Sequence, residues 1–374
     1  MTSSRTSRGI SADTVRLLED IERQRTRWLG PGDITPLTRQ VAGAREPQAI
    51  LYLRELLVDR RPAIANAAAD AILSLIALIG PRDAVWFDEL MRHGWLPRAR
   101  LRMGNWFFMK PLELTARTAE LRDSRPALLV NLSHPDGFVR EATVRAVRLG
   151  QPQGALLPIV IRLCDWIPQV RRAATECLQA LLDRATTEET LKALALALRI
   201  ERRSRTGEVE QARQRLLERL HGAGGLEAGA RWVDPAVRRC CLAELLRASS
   251  DPHGLARLAL NDPDPLVQEW VFTGPLRSIG AQDRVRVLER AARVRRARTR
   301  GRALRALWDA DPDRAEPVLR ENLLAQATTV RELAIWILEK EGTLDAAEFY
   351  RDQVGRVTGR ALVSVLAELG RRGQ

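Results

Sequence analysis

One spacing governs what this chain can fold into. A β-branched residue, usually followed by Arg, recurs with a small or apolar residue four positions on and an apolar one eight on. The frame reads Val139-Arg140, Thr143, Val147; Val170-Arg171, Ala174, Leu178; Val237-Arg238, Cys241, Leu245; and Val330-Arg331, Ala334, Leu338. Looser copies are Val267-Gln268 with Val271, Thr299-Arg300 with Ala303 and Leu307, and Val357-Thr358 with Ala361 and Val365. Ile64, Ala68 and Ile72 form an early copy without the Arg. The starts at 139, 170, 237, 267, 299, 330 and 357 lie 31, 67, 30, 32, 31 and 27 residues apart, and Val209 falls inside the double gap. Steps of four put all three positions on one helix face. A period near 31 residues is too long for one helix and suits two helices and a turn.

Helical periodicity runs through almost all of the chain after the polar stretch Met1 to Asp13, broken by short Gly, Pro, Asp and Asn segments. Asp251-Pro252, Asp264-Pro265 and Asp311-Pro312 read as helix entrances, since Asp accepts from free N–H groups and Pro is pre-set for the first turn. Aromatic residues make up only 5% of a chain that is 45% hydrophobic. The core is therefore Leu, Ala and Val, which argues against sandwiches, barrels and propellers. The most apolar run, Ile64 to Ile79, is interrupted by Asn66, Asp70 and Ser74. It reads as a helix buried on nearly all sides, too short and too polar to span a bilayer.

In three copies an Asp precedes the Val by three residues: Asp136, Asp234 and Asp264. The arrangement Asp-x-x-Val-Arg-x-x-Ala-x-x-x-Leu resembles the HEAT repeat family, in its bacterial HEAT-like branch, with motifs visible over residues 125–370. The resemblance implies an all-α fold, a right-handed α-solenoid of stacked helix–turn–helix repeats. It also implies that the Asp caps the second helix of each pair while Val, Ala and Leu face the inter-repeat core. Physics points the same way, because one helix pair cannot bury its apolar face alone. The expected organisation is a flexible polar tail over 1–12, degenerate helical repeats over 13–125 and a HEAT-like array over 126–374 continuous with them. Irregular stacking is expected at Glu201–Gly207 and Gly222–Gly229.

Chemistry-bearing motifs are missing from the sequence. It contains no HExxH, no P-loop, no GxSxG and no GxGxxG. His93, His134, His221 and His253 are scattered and read as turn residues. Cys164, Cys177, Cys240 and Cys241 form no CxxC pair, sit in apolar stretches as small hydrophobes and suit a reducing cytoplasm. The N-terminal stretch has no apolar segment, so a secretory signal is not expected. Glu188-Glu189 reads as a helix start, where acids favour the dipole. The chain is therefore expected to be non-enzymatic, with no cofactor and no metal.

Nine tryptophans read mainly as fillers between repeats. Trp86-Phe87, Trp95 and Trp106-Phe107-Phe108 form one aromatic-dense stretch with Arg92, Arg98, Arg100, Arg102 and Lys110. That stretch is either an aromatic plug or a surface for nucleic acid or acidic peptide. A sharper feature lies between Asp283 and Arg305, where ten arginines face only Asp283 and Glu289, a net +8 within the chain's +13. The repeat frame puts Thr299 at the Val position and therefore Arg296 where the capping Asp belongs. A cation at a helix N-terminus opposes the dipole. Free N–H groups there, with the surrounding guanidiniums, suit a bound anion. Arg293, Arg295, Arg296, Arg298, Arg300 and Arg302 are the candidate anion- or partner-binding residues. The alternative is a solvated charge run in an Arg-biased chain.

Three functional classes compete, of which a repeat-type lyase or modification-complex subunit has no specific residue behind it. The first is a scaffold binding a partner macromolecule, most simply an acidic protein surface, in a superhelical groove. The second is a nucleic-acid binder, suggested by pI 10.8 and the clustered arginines. Some HEAT-like proteins are DNA glycosylases for alkylated bases, and that resemblance would cast Trp166 with Asp165, or Trp232 with Asp234 and Arg238, as a base-handling set.

Overall fold

The computed structural model describes residues 9–25, 32–93, 124–201, 207–222, 224–248 and 251–373. The aromatic and basic residues from Trp95 to Lys110 lie outside them, as does Trp28. Every regular element among the described residues is helical. The chain forms two compact units, Met1–Ala228 and Gly229–Gln374, divided within the Gly-rich break.

The first unit contains α1 (Ala12–Arg25), α2 (Thr35–Gly43), α3 (Ile50–Leu53), α4 (Pro62–Ile76) and α5 (Ala84–His93). It continues with α6 (Arg125–Asn131), α7 (Gly137–Gly150), α8 (Leu156–Arg162), α9 (Pro168–Leu182), α10 (Thr187–Ile200) and α11 (Glu208–Leu220). The short α12 (Gly225–Gly229) ends at the division. The second unit holds α13 (Pro235–Ala248), α14 (Pro252–Leu260), α15 (Pro265–Trp270), α16 (Pro275–Ser278) and α17 (Ala281–Ala291). There follow α18 (Ala297–Ala310), α19 (Pro312–Asn322), α20 (Thr328–Lys340), α21 (Ala346–Gln353) and α22 (Gly359–Arg371).

The helices start where the sequence says they should. Asp136 accepts from Phe138 N at 2.7 Å, Asp264 from Leu266 N at 2.8 Å, and Asp234 from Ala236 N at 2.9 Å. Pro252, Pro265 and Pro312 each open a helix behind an Asp cap. Thr186 and Glu189 form a reciprocal capping box at the head of α10, which bears out the helix start expected at Glu188-Glu189.

Helices bearing the repeated motif pack on one another in sequence. In the first unit α7 contacts α9, and α9 contacts α11. In the second, α13 contacts α15, α15 contacts α18, and α18 contacts α20. Their partners do likewise: α14 packs on α17, and α17 on α19. The motif side chains fill these contacts. Val139, Thr143, Val147, Val170, Ala174, Leu178, Val237, Cys241, Val267, Val271, Thr299, Ala303, Leu307, Val330, Ala334 and Leu338 are all buried, while Leu245 is half-buried. Val209 is buried too, at the start of α11, so it supplies the copy missing from the double gap.

Four sequence expectations need correction. Val357 lies ahead of α22 and is only half-buried, because that helix starts at Gly359 and buries Ser364, Val365, Glu368 and Leu369 instead. Helix α4 is amphipathic: Asn66, Asp70 and Ser74, spaced by four, form a more exposed stripe opposite Ile64, Ala68, Ala71, Ile72 and Leu75. Cys164 sits exposed in the turn after α8, whereas burial pushes the Cys177 and Cys241 thiols up to about 12. Tryptophans are not simply fillers, since Trp166 is 74% exposed and Trp336 is exposed as well.

Leu178 is fully enclosed between α9 and its neighbours. Leu178→Ala should lower stability by about 2–5 kcal/mol, measured by urea titration of the helical circular dichroism signal. A loss below about 0.5 kcal/mol, the scale of ordinary surface changes, would show that the repeat register is wrong.

Candidate functional site

The Arg of the motif has a structural task that its position in sequence explains. Arg140 Nη1 donates to the carbonyls of His134 and Pro135, both at 2.8 Å. Arg171 reaches the Asp165 and Trp166 carbonyls, Arg238 those of Trp232 and Val233, and Arg331 those of Ala325 and Gln326. These acceptors lie five and six residues before each Arg, in the turn that ends the preceding helix. Helix ends leave carbonyl oxygens unpartnered, and a cation there also suits the dipole.

The same guanidinium then ties its turn to the turn of the next repeat. Arg140 holds Asp165 through two bonds at 2.8 and 2.9 Å, and Arg238 holds Asp262 at 2.6 and 2.8 Å. Each of these acids stands five residues before the next motif Val, at Val170 and Val267. Each also braces its own turn, Asp165 accepting from Ile167 N and Asp262 from Asp264 N. Arg171 uses Glu208 and Arg331 uses Glu368 in place of that Asp. The planar five-donor guanidinium is the one side chain that satisfies two carbonyls and a carboxylate at once.

Asp165 is the most heavily used of these acids. Besides Arg140 it accepts from Arg92 at 2.8 Å and Arg162 at 3.2 Å, and Arg92 and Arg162 also pair with Asp88. Burial alone would raise its pKa, but the Arg140 bond, with Arg162 and Arg92 close by, holds the carboxyl below its ordinary value. Asp165 is therefore committed to its arginines while Trp166 stands exposed beside it, and Asp234 and Arg238 are taken by the cap and by Asp262.

The candidate arginines fall on the turn 292–296 after α17 and on α18. Two of the six are neutralised. Arg293 forms a two-bond pair with Glu321 at 2.9 and 3.0 Å, and Arg302 pairs with Glu269 at 2.9 Å beneath a cation–π contact of 4.7 Å to Phe272. The other four, Arg295, Arg296, Arg298 and Arg300, have no carboxylate partner among the described residues. Arg296 is the N-cap residue of α18, as the frame requires, and makes no side-chain cap; its guanidinium donates to the Pro263 carbonyl at 2.5 Å.

Two surfaces result. Between α14 and α17 lies a hollow of about 360 Å³ lined by His253, Arg257, Arg286, Glu289, Arg290 and Arg293. Its charge is met in part: Arg286 lies by Asp283, Arg293 by Glu321, and Glu289 by Arg314, while Arg257 and Arg290 have no carboxylate partner among the described residues. The second surface is the row of inter-helix turns. Arg238 joins the turn at 232–234 to that at 261–264, and Arg296 joins the latter to 292–296. Positions four and one before the motif residue are exposed along this row: Val233, Leu266, Arg295 and Arg298. Sequence reading found the arginines but not this edge, because exposure depends on how turns align between repeats.

No protein-family model matches the chain, and no curated protein matches it in sequence. Among the described residues no group of His, Cys, Asp or Glu could hold a metal ion, and no helix is long and apolar enough to cross a membrane.

Asp165→Asn should cost about 3–5 kcal/mol, since it leaves buried Arg140 without a carboxylate and Arg92 and Arg162 with Asp88 alone. The lowered carboxyl pKa sets the sign with pH. Its stabilisation is complete above the unfolded value of about 4 and is lost as pH falls through the lower folded value. Thermal melts from pH 7 to pH 2 should show that loss in the parent and a flatter acid limb in the variant.

Proposed function

We propose that the chain is a non-enzymatic scaffold, a right-handed α-solenoid of HEAT-like helix pairs, that binds an acidic protein surface. The arginine edge of the second unit carries the partner. The observation behind this reading is that Arg295, Arg296 and Arg298, within four residues of one another on the turn row, are exposed with no carboxylate partner among the described residues. Groups so placed raise the local concentration of anions and fix their orientation through charge-assisted bonds. The HEAT-like resemblance supports the solenoid, and the stacking of motif helices within each unit agrees with it. Four cysteines outside any disulfide suit a cytoplasmic setting.

Nucleic acid is the second reading, favoured by the net charge of +13. Exposed Val233 and Leu266 on the same row weigh against a phosphate backbone and for a protein. The two separate by salt. Binding to duplex DNA should fall with a log–log slope of about −0.9 per phosphate contacted, with little dependence on apolar content. An acidic peptide should lose affinity when its apolar residues are removed.

Arg296→Asp restores the missing cap and should raise stability by about 0.5–2 kcal/mol while weakening partner binding. Arg295→Glu with Arg298→Glu should abolish binding and leave helicity intact, as both side chains are exposed. Unchanged binding of acidic peptide and of DNA in both variants, followed by fluorescence anisotropy, would overturn the proposal.

A further inference from the structure

Arg300 occupies the motif position of Arg140, Arg171, Arg238 and Arg331, yet it makes none of their bonds. Its Nε is buried without a partner, and burial pulls its pKa down. The next repeat differs as well. Five residues before Val330, where Asp165 and Asp262 stand in their repeats, the chain has Ala325. One repeat earlier the same position avoids the problem differently, since Gln268 is neutral and donates to the Asp262 carbonyl at 2.7 Å. Arg300 is thus a guanidinium kept in a repeat whose matching carboxylate is missing.

Resting on the scaffold reading, we propose that Arg300 is a vacant rung that takes a carboxylate side chain from the partner, with exposed Arg295 and Arg298 in the same turn and first helical turn adding positive charge. The ligand class is an acidic peptide segment, its apolar residues running over Leu266 and Val233. A carboxylate is favoured over a phosphate because the two filled rungs of this kind hold Asp, through two parallel N–H···O bonds. A place where Ala stands instead of Asp fits that group. The apolar neighbours on the edge extend the match to a peptide, and charge complementarity supplies the remainder.

The test uses the full chain, a fluorescein-labelled hexaglutamate peptide and a short DNA duplex, with anisotropy at low salt. Wild type is expected to bind hexaglutamate. Ala325→Asp supplies the rung from within, so it should raise Tm and weaken peptide binding about tenfold. Arg300→Gln, which copies Gln268, should weaken binding about as much without loss of fold. In the Arg300→Gln background Ala325→Asp should no longer raise Tm, because the coupled pair is gone. Arg290→Gln, which removes a charge from α17, should change affinity less than about twofold.

If Arg295→Glu with Arg298→Glu abolishes binding but Arg300→Gln and Ala325→Asp leave it intact, the edge stands and the vacant rung falls. If wild type binds duplex DNA and hexaglutamate does not compete, the ligand is nucleic acid and the carboxylate seat is overturned. If wild type binds neither probe, both readings fail.

Discussion

A buried arginine that closes its own turn and grips the next one is the interaction on which the rest of this structure depends. Stacked helix pairs have a recurring problem: each turn leaves carbonyl oxygens at the end of the first helix, and neighbouring turns must be held in register. Hydrophobic contact between Val, Ala and Leu provides the driving force but no direction. Arg140 and Arg238 add the direction, since a planar fork accepts only one arrangement of two carbonyls and one carboxylate. Burying a guanidinium is tolerable only on that condition, because an ion stripped of water needs its donors met. At Asp165 the condition is met several times over, with Arg92, Arg140 and Arg162 sharing one carboxylate and Asp88 taking up part of the excess.

Much of the fold is legible in sequence because its signals are local and periodic. The four-residue steps mark the buried faces from Val139 to Leu338, and the Asp and Pro residues mark the helix starts. The frame even places Arg296 at a helix N-terminus instead of an acid, and there it stands. The hidden part is non-local. In sequence the motif Arg is simply the neighbour of the Val, yet Arg140 is fully buried, because its partners come from a turn five residues back and an acid 25 residues on. Helix α4 differs from expectation for another reason: its mean apolarity hides a polar stripe whose spacing of four is already present in Asn66, Asp70 and Ser74.

The candidate arginines show how far composition can mislead about a site. As a charge run, all ten residues from Arg284 to Arg305 look equivalent. In three dimensions they separate by what opposes them. Arg293 and Arg302 meet Glu321 and Glu269, residues 28 and 33 positions away, and Arg305 meets Asp309 within its own helix while lying 5.3 Å from the Trp336 ring. These pairs are surface features of modest energetic worth. Among the described residues Arg284 and Arg290 on α17 meet no acid either, and the other unopposed four, Arg295, Arg296, Arg298 and Arg300, fall within the turn and the first turn of α18.

That gathering coincides with a lapse in the repeat's own logic. Natural sequences agree with themselves across levels, and local violations concentrate where function requires them. Around the turn 292–296 two rules lapse together: a cation stands at the cap in Arg296, and the rung carboxylate is Ala325 opposite Arg300. Either change alone reads as drift in a degenerate repeat. Together they remove two negative charges and leave the positive ones standing, at a cost of about 1–3 kcal/mol for the buried unpartnered donor alone. A chain selected only for folding has simple remedies within its own repeats, an Asp as at Asp264 or a Gln as at Gln268. On the proposed reading, an anion arriving from outside would relieve both defects at once, and the stability forgone in the isolated chain would become binding energy in the complex.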